Sequence, residues 1–233
     1  MISLLFSLYL AQEASAYSPP PSFIGVRAIK ERKGLRSIEW VARITEIRSQ
    51  IAFKEHLRIE FPSGRMVANY SGPSDESWGS HESDPSALSR LGRFWISVGL
   101  DPNGARVKAA LSELGVMPEE TSESKLLREG KSVTWSWGDG AKILFGKDTF
   151  LPTAYASREE QGGARGAESI RFESFMLAGN QLQVPKAGAV TAGTAHYRFE
   201  IRSVKVDASS KGFTAAPVRV EAPPAKGWVS LVR

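Results

Sequence analysis

The chain of 233 residues contains no cysteine. That excludes disulfide bonds, thiolate metal sites, iron–sulfur clusters, a cysteine nucleophile and a lipid-modified N-terminal cysteine. Histidine is scarce, with three copies: His56 within a strand pattern, His81 in a polar stretch and His196 beside another strand. None stands three or four residues from a second histidine, as a paired-histidine helical zinc motif requires. Long hydrophobic runs are missing too. Ile2–Leu10 is nine residues long, against the roughly 20 that cross a bilayer. No G-x-S-x-G nucleophile elbow occurs. Gly162-Gly163-Ala164-Arg165-Gly166 lacks the lysine and hydroxyl residue of a phosphate-binding loop and leads into a strand pattern. The acidic pairs Asp75-Glu76, Glu119-Glu120 and Glu159-Glu160 fall in loops or at element ends, where solvated charge is the ordinary outcome. The expectation is a non-enzymatic chain with no cofactor, no metal and no catalytic residue; an enzyme whose dispersed carboxylates converge in one cleft is a further alternative.

What is present is globular. Hydrophobic residues make up 42% and charged residues 24%, which argues against wholesale disorder. A chain of this size buries roughly 70–75% of its unfolded surface, enough for a core without staples. The net charge of +5 favours anionic partners without naming one. Arg27, Lys30, Arg32, Lys33 and Arg36 crowd a short stretch. They suit transient contact with an anionic membrane surface or an acidic envelope protein, or simply a solvated helix face. No nucleic-acid recognition motif accompanies them. The apolar run Ile2–Leu10 followed by Ala14-Ser15-Ala16 fits a signal peptide over residues 1–16, cleaved after Ala16, although no basic residue precedes the run. The expected destination is the periplasm, with residues 17–22 as an extended spacer.

Periodicity lays out the remainder. Phe23–Lys33 has a helical spacing, and Gly34 stops it. Ser37–Thr45 alternates, with Ile38, Trp40, Ala42 and Ile44 on one face. His56–Phe61 repeats the pattern, Pro62-Ser63-Gly64 turns the chain and Arg65–Tyr70 returns. Ser71–Asp84 reads as a polar loop. Asp84-Pro85 opens a helix with the stripe Leu88, Leu91, Phe94, Trp95 and Val98, and Asp101-Pro102 opens another with Val107, Ala110, Leu111 and Leu114. Ser122–Arg128 reads as one or two further helical turns. Period two resumes at Val133, Trp135 and Trp137, with strands at Ala141–Phe145, Phe150–Ala156, Ser169–Phe175, Gln181–Val184 and His196–Val206. The last strand changes phase, predicting a bulge near Arg202-Ser203. Strands in sequence joined by turns pair antiparallel. The expectation is a single α+β domain over residues 23–214: one curved antiparallel sheet, helices on one face with a section at 85–128, and a partly ordered tail at 215–233.

The strands are rich in aromatics. They fill a core between sheet and helices, or they line a cavity. Six features carry a resemblance: the export signal, the basic helix running into Ser37–Thr45, the hairpin Leu57–Arg65, the strand Val133–Trp137, the stretch Leu144–Pro152, and Phe199–Asp207 followed by Phe213. In this order they resemble the periplasmic lipoprotein-carrier (LolA-like) superfamily. The resemblance implies an open half-barrel with helices as a lid over an apolar cavity, and a lipid or acylated lipoprotein as the ligand. The expected lining is Trp40, Ile44, Leu57, Ile59, Phe61 and Met66 from the first half, with Trp135, Trp137, Phe145, Phe172, Phe199 and Ile201 from the second. It further implies an early-strand arginine that holds the lid, for which Arg43 and Arg58 are the candidates. The alternative is an envelope structural or protein-interaction domain with the same fold and a filled core.

Overall fold

A computed structural model describes residues 32–114, 125–129, 132–137, 141–146, 149, 151–157, 168–179, 182–208, 213 and 219–232. The signal segment, the spacer and most of the basic helix lie outside these residues. Eleven strands make one sheet, and every neighbouring pair is antiparallel. A first meander comprises β1 (Ser37–Glu46), β2 (Ala52–Glu60), β3 (Arg65–Ser71) and β4 (Ser77–Ser83). A second runs from β5 (Lys125–Glu129), β6 (Ser132–Trp137) and β7 (Ala141–Gly146) through β8 (Pro152–Ser157) and β9 (Glu168–Ala178) to β10 (Leu182–Ala192) and β11 (Ala195–Val206). Pairing of β1 with β11 fuses the two, which leaves β4 and β5 as opposite edges of an open, curved sheet.

That topology dictates where the helices go. The chain leaves the sheet at β4 and re-enters at the far edge, so the intervening segment must cross a face. It does so as α1, a turn at Arg90–Gly92 that runs on as a π-helix over Arg93–Val98, and α2 (Gly104–Glu113). Ser89 caps α1 by accepting from the Gly92 amide at 3.0 Å, and Asn103 caps α2. Five consecutive α1 residues, Phe94–Val98, are buried, which a helix tolerates only when it is covered on all sides. α3 (Pro223–Val232) closes the same face, with Ala225 and Trp228 fully buried. No helix among the described residues is long and apolar enough to cross a membrane.

The predicted bulge is present. Val41 pairs with Ser203 while Ala42 pairs with Ile201, so Arg202 is the extra residue. Three expectations need correction. Ser77–Ser83, inside the expected loop, is the edge strand β4; its short polar side chains hid an element defined by its hydrogen bonds to β3. Lys125–Glu129, expected as helical turns, pairs with β6 as β5. The N-cap expected at Asp101 is Asn103; Asp101 is instead buried, accepting from the Asn103 amide at 2.7 Å and from Arg106 at 3.2 Å. The tail at 215–233 contains α3, an integral part of the core.

The segment after β11 explains how α3 reaches the helical face. Asp207 Oδ1 accepts from the amides of Arg36 (2.7 Å) and Ser37 (3.1 Å), which ties the chain down as it leaves the sheet. Arg58 donates to the Ala208 carbonyl at 3.0 Å, and the Phe213 ring meets His56 edge-on at 4.7 Å. These contacts lie on the outer face, away from the helices. The strap then passes the β4 edge, where the Glu221 amide donates to the Trp78 carbonyl. A Cβ on Gly79 would sit 2.5 Å from the Arg219 carbonyl oxygen, so only glycine permits this close passage.

Candidate functional site

Trp40, Ile44, Leu57, Ile59, Phe61, Met66, Phe145, Phe172, Phe199 and Ile201 are all buried, and all belong to one contiguous core. Trp135 and Trp137 lie on β6, and their side chains fall outside the described residues. Alternation along β1, β2 and β11 aims Trp40, Ile44, Leu57, Ile59, Phe199 and Ile201 at the inner face, as the sequence pattern requires.

The space they face is taken by rings from the helices. Trp95 of α1 stacks on Trp40 (centroids 5.6 Å, planes at 6°) and on Phe199 (4.6 Å), and meets Trp228 of α3 edge-on at 5.7 Å. Phe94 stacks between Tyr155 and Phe172, at 5.8 and 5.6 Å. Trp228 also packs edge-on against Tyr197 at 5.5 Å. The remaining void beside Trp40, Trp95 and Trp228 holds about 10 Å³, room for no more than one water. Among the described residues, the strands that Trp40, Phe172 and Phe199 occupy therefore face the helices through close ring packing.

At the centre lies a group the sequence reading overlooked. Glu55 is buried on the apolar phase of β2, two residues before Leu57. Its carboxyl group accepts from Trp40 Nε1 (3.1 Å), Tyr70 Oη (3.1 Å) and Trp228 Nε1 (2.8 Å). Burial pushes the Glu55 carboxyl above its ordinary value, and the hydrogen bonds from Trp228, Trp40 and Tyr70 offset only part of that. Glu55 thus clips the terminal helix to the sheet. Its strand phase was the available signal, since a lone carboxylate in register with Leu57 and Ile59 needs a buried partner.

Neither candidate lid arginine faces the helices. Arg58 is buried on the outer face, bonded to Glu39 (3.5 Å), Glu60 (3.2 Å) and the strap carbonyl of Ala208. Arg43 is exposed on that face. The physical reason is register: both sit on the phase opposite Trp40 and Leu57. Glu39 collects His56 (3.0 Å), Arg58 and Lys205 (3.7 Å). Burial opposes its ionisation, but the His56 hydrogen bond and the surrounding positive charges outweigh it and hold Glu39 below its ordinary value. Through Arg58 the cluster reaches the Ala208 carbonyl and so anchors the strap. Arg32, expected on a basic face, is buried with its guanidinium on the Val98 carbonyl at 2.8 Å. Among the described residues no group of acidic or histidine side chains is arranged to hold a metal.

The outer face does have open space. A groove of about 390 Å³ is lined by Val41, Arg43, Ala52, Lys54, Pro73 and Arg202. A second, of about 280 Å³, shares Arg43 and adds Glu173, Arg198 and Glu200.

No protein-family model matches the sequence, and no curated protein matches it. Solved structures do. A LolA superfamily protein from Nitrosomonas europaea superposes with a TM-score of 0.49 at 11% identity, covering 84% of this chain and 98% of that one. An outer membrane lipoprotein-sorting protein domain from Vibrio parahaemolyticus gives 0.42 at 10% identity, covering 83% and 95%. A DUF1329 family protein from Desulfovibrio piger gives 0.43 at 10%, with the same coverage. The likeness concerns the arrangement of strands and helices and extends to no individual side chain.

Proposed function

We propose that the protein is a non-enzymatic, exported binding protein that accepts an acyl chain, or the acylated end of a lipoprotein, against its inner face by displacing its own C-terminal helix. The observation that carries this reading is the way α3 is held. Of its described side chains Ala225, Trp228 and Val229 are buried, and Trp228, the largest, is clipped to the sheet by Glu55, so few groups hold the helix in place.

Magnitudes make exchange feasible. About 12 methylenes of an acyl chain transferred from water contribute roughly 10 kcal/mol before immobilisation costs. Displacing α3 uncovers chiefly Ala225, Trp228 and Val229. The two large side chains among them are worth about 1.5–3 kcal/mol each, and the hydrogen bonds that join α3 to Glu55, Tyr197 and Ser89 roughly 0.5–1.5 each. The two occupants are then close to balance, which allows both uptake and release. The Ile2–Ala16 segment supports export to the periplasm.

The test is titration with a fluorescent palmitate analogue. Trp228→Phe keeps a ring and deletes the donor to Glu55, so it should bind the probe several-fold more tightly than the wild type, because it weakens the competitor without altering the lining. A second reading rests on the ring packing of α1 and α3 against the strands: the same fold acts as an envelope interaction domain with a permanent core. Under that reading neither protein takes up the probe.

A further inference from the structure

The turn between β1 and β2 exposes two large apolar side chains, Ile47 (40%) and Ile51 (41%), on a tip that is internally fixed. The Glu46 amide donates to the Ile51 carbonyl at 2.9 Å, and the Gln50 side chain donates to the Ile47 carbonyl at 2.5 Å. Glu46 turns its carboxylate onto the Arg48 and Ser49 amides (3.1 and 2.7 Å), so the one acid at the tip is engaged by backbone. The isoleucines are thus held outward by a rigid turn.

The same two strands carry the larger outer groove directly away from the tip. Val41, Ala52 and Pro73 give it apolar surface, and its cations are Arg43, Lys54 and Arg202. Lys54 pairs with Asp75 and Arg202 with Glu200, whereas Arg43 forms no ion pair among the described residues. The bulge at Arg202 aims that side chain here. With about 390 Å³, the groove is in the range of small-ligand sites.

We infer that the β1–β2 end of the outer face docks on an anionic phospholipid bilayer, with Ile47 and Ile51 entering the acyl boundary and the Arg43 groove seating a phosphate-bearing headgroup. A rigid apolar tip flanked by cations is the arrangement that interfacial binding requires, apolar residues at the boundary and positive charge at the headgroup level. An acidic protein segment would match the cations but not two exposed isoleucines beyond them. Docking is independent of acyl uptake, since it uses the opposite face of the sheet.

The full chain is sedimented with vesicles of phosphatidylcholine alone and with vesicles doped with phosphatidylglycerol. The expected result is binding to the doped vesicles only, weakened by salt. Arg43→Glu should lower it by about tenfold, consistent with the loss of one cation and gain of one anion near a charged surface. Ile47→Ser combined with Ile51→Ser should lower it several-fold. Both variants alter exposed side chains, so unchanged melting curves confirm that folding is intact. Equal binding to neutral and doped vesicles, no binding to either, or undiminished binding of Arg43→Glu overturns the inference. None of these outcomes bears on palmitate uptake.

Discussion

The two faces of the same strands make opposite use of their side chains. Along β1, Trp40, Ala42 and Ile44 point inward and are buried, while Glu39, Val41 and Arg43 point outward. Among the described residues the inner face beside Trp40, Trp95 and Trp228 leaves about 10 Å³, whereas the outer face has grooves of about 390 and 280 Å³. Alternation decides which side chains share a face. It says nothing about what lies over that face. Here the inner face is covered by rings from α1 and α3, elements distant in sequence from the strands they meet, and among the described residues the outer face is crossed at Asp207–Ala208 and Phe213.

The largest expected difference between the faces is in stability. Phe94→Ala removes a ring stacked between Tyr155 and Phe172 and should cost about 3–5 kcal/mol, lowering the melting temperature by roughly 10 °C in a calorimetric scan. Asp207→Ala, which unties the strap from the Arg36 and Ser37 amides, should cost about 1–3 kcal/mol in a urea titration. Arg43→Ala on the open outer groove should change stability by no more than about 0.5 kcal/mol.

The faces should also respond to pH with opposite sign. Glu55 has a folded-state value above its ordinary one. Its contribution is therefore greatest on the acid side and is lost as pH climbs from the ordinary carboxylate range through the raised value. Glu39 has a lowered value, so its contribution is present above the ordinary range and lost as pH falls. Urea midpoints measured across pH should show Glu55→Gln abolishing the alkaline-side loss and Glu39→Gln reducing the acid-side loss. The reverse assignment would mean that the buried carboxyl is not the one clipped to Trp228.

Much of this fold was legible because it rests on local periodicity. The inward phase of Trp40, the Phe94–Trp95 stripe and the bulge at Arg202 all follow from spacing. Where the pattern failed, the determinant was not local. β4 is polar and exists because an edge strand needs only a backbone partner. Pro223-Pro224 resembled a tail, yet proline is at home in the first turn of a helix, and Ala225, Trp228 and Val229 carry helical spacing behind it. Glu55 precedes the strand pattern expected from His56 onward; only its phase with Leu57 and Ile59 points inward, and its partners Trp40, Tyr70 and Trp228 come from three separate elements. Whether the aromatic face was vacant or filled depended on those same distant contacts, which alternation does not encode.

Displacement of α3 is tested most directly by hydrogen exchange on the full chain, with and without saturating palmitate. If the acyl chain takes the place of the helix, amides of residues 225–232 exchange faster in the bound protein while those of β1 and β2 stay protected. Palmitate bound with α3 protection unchanged, or no palmitate bound at all, contradicts it.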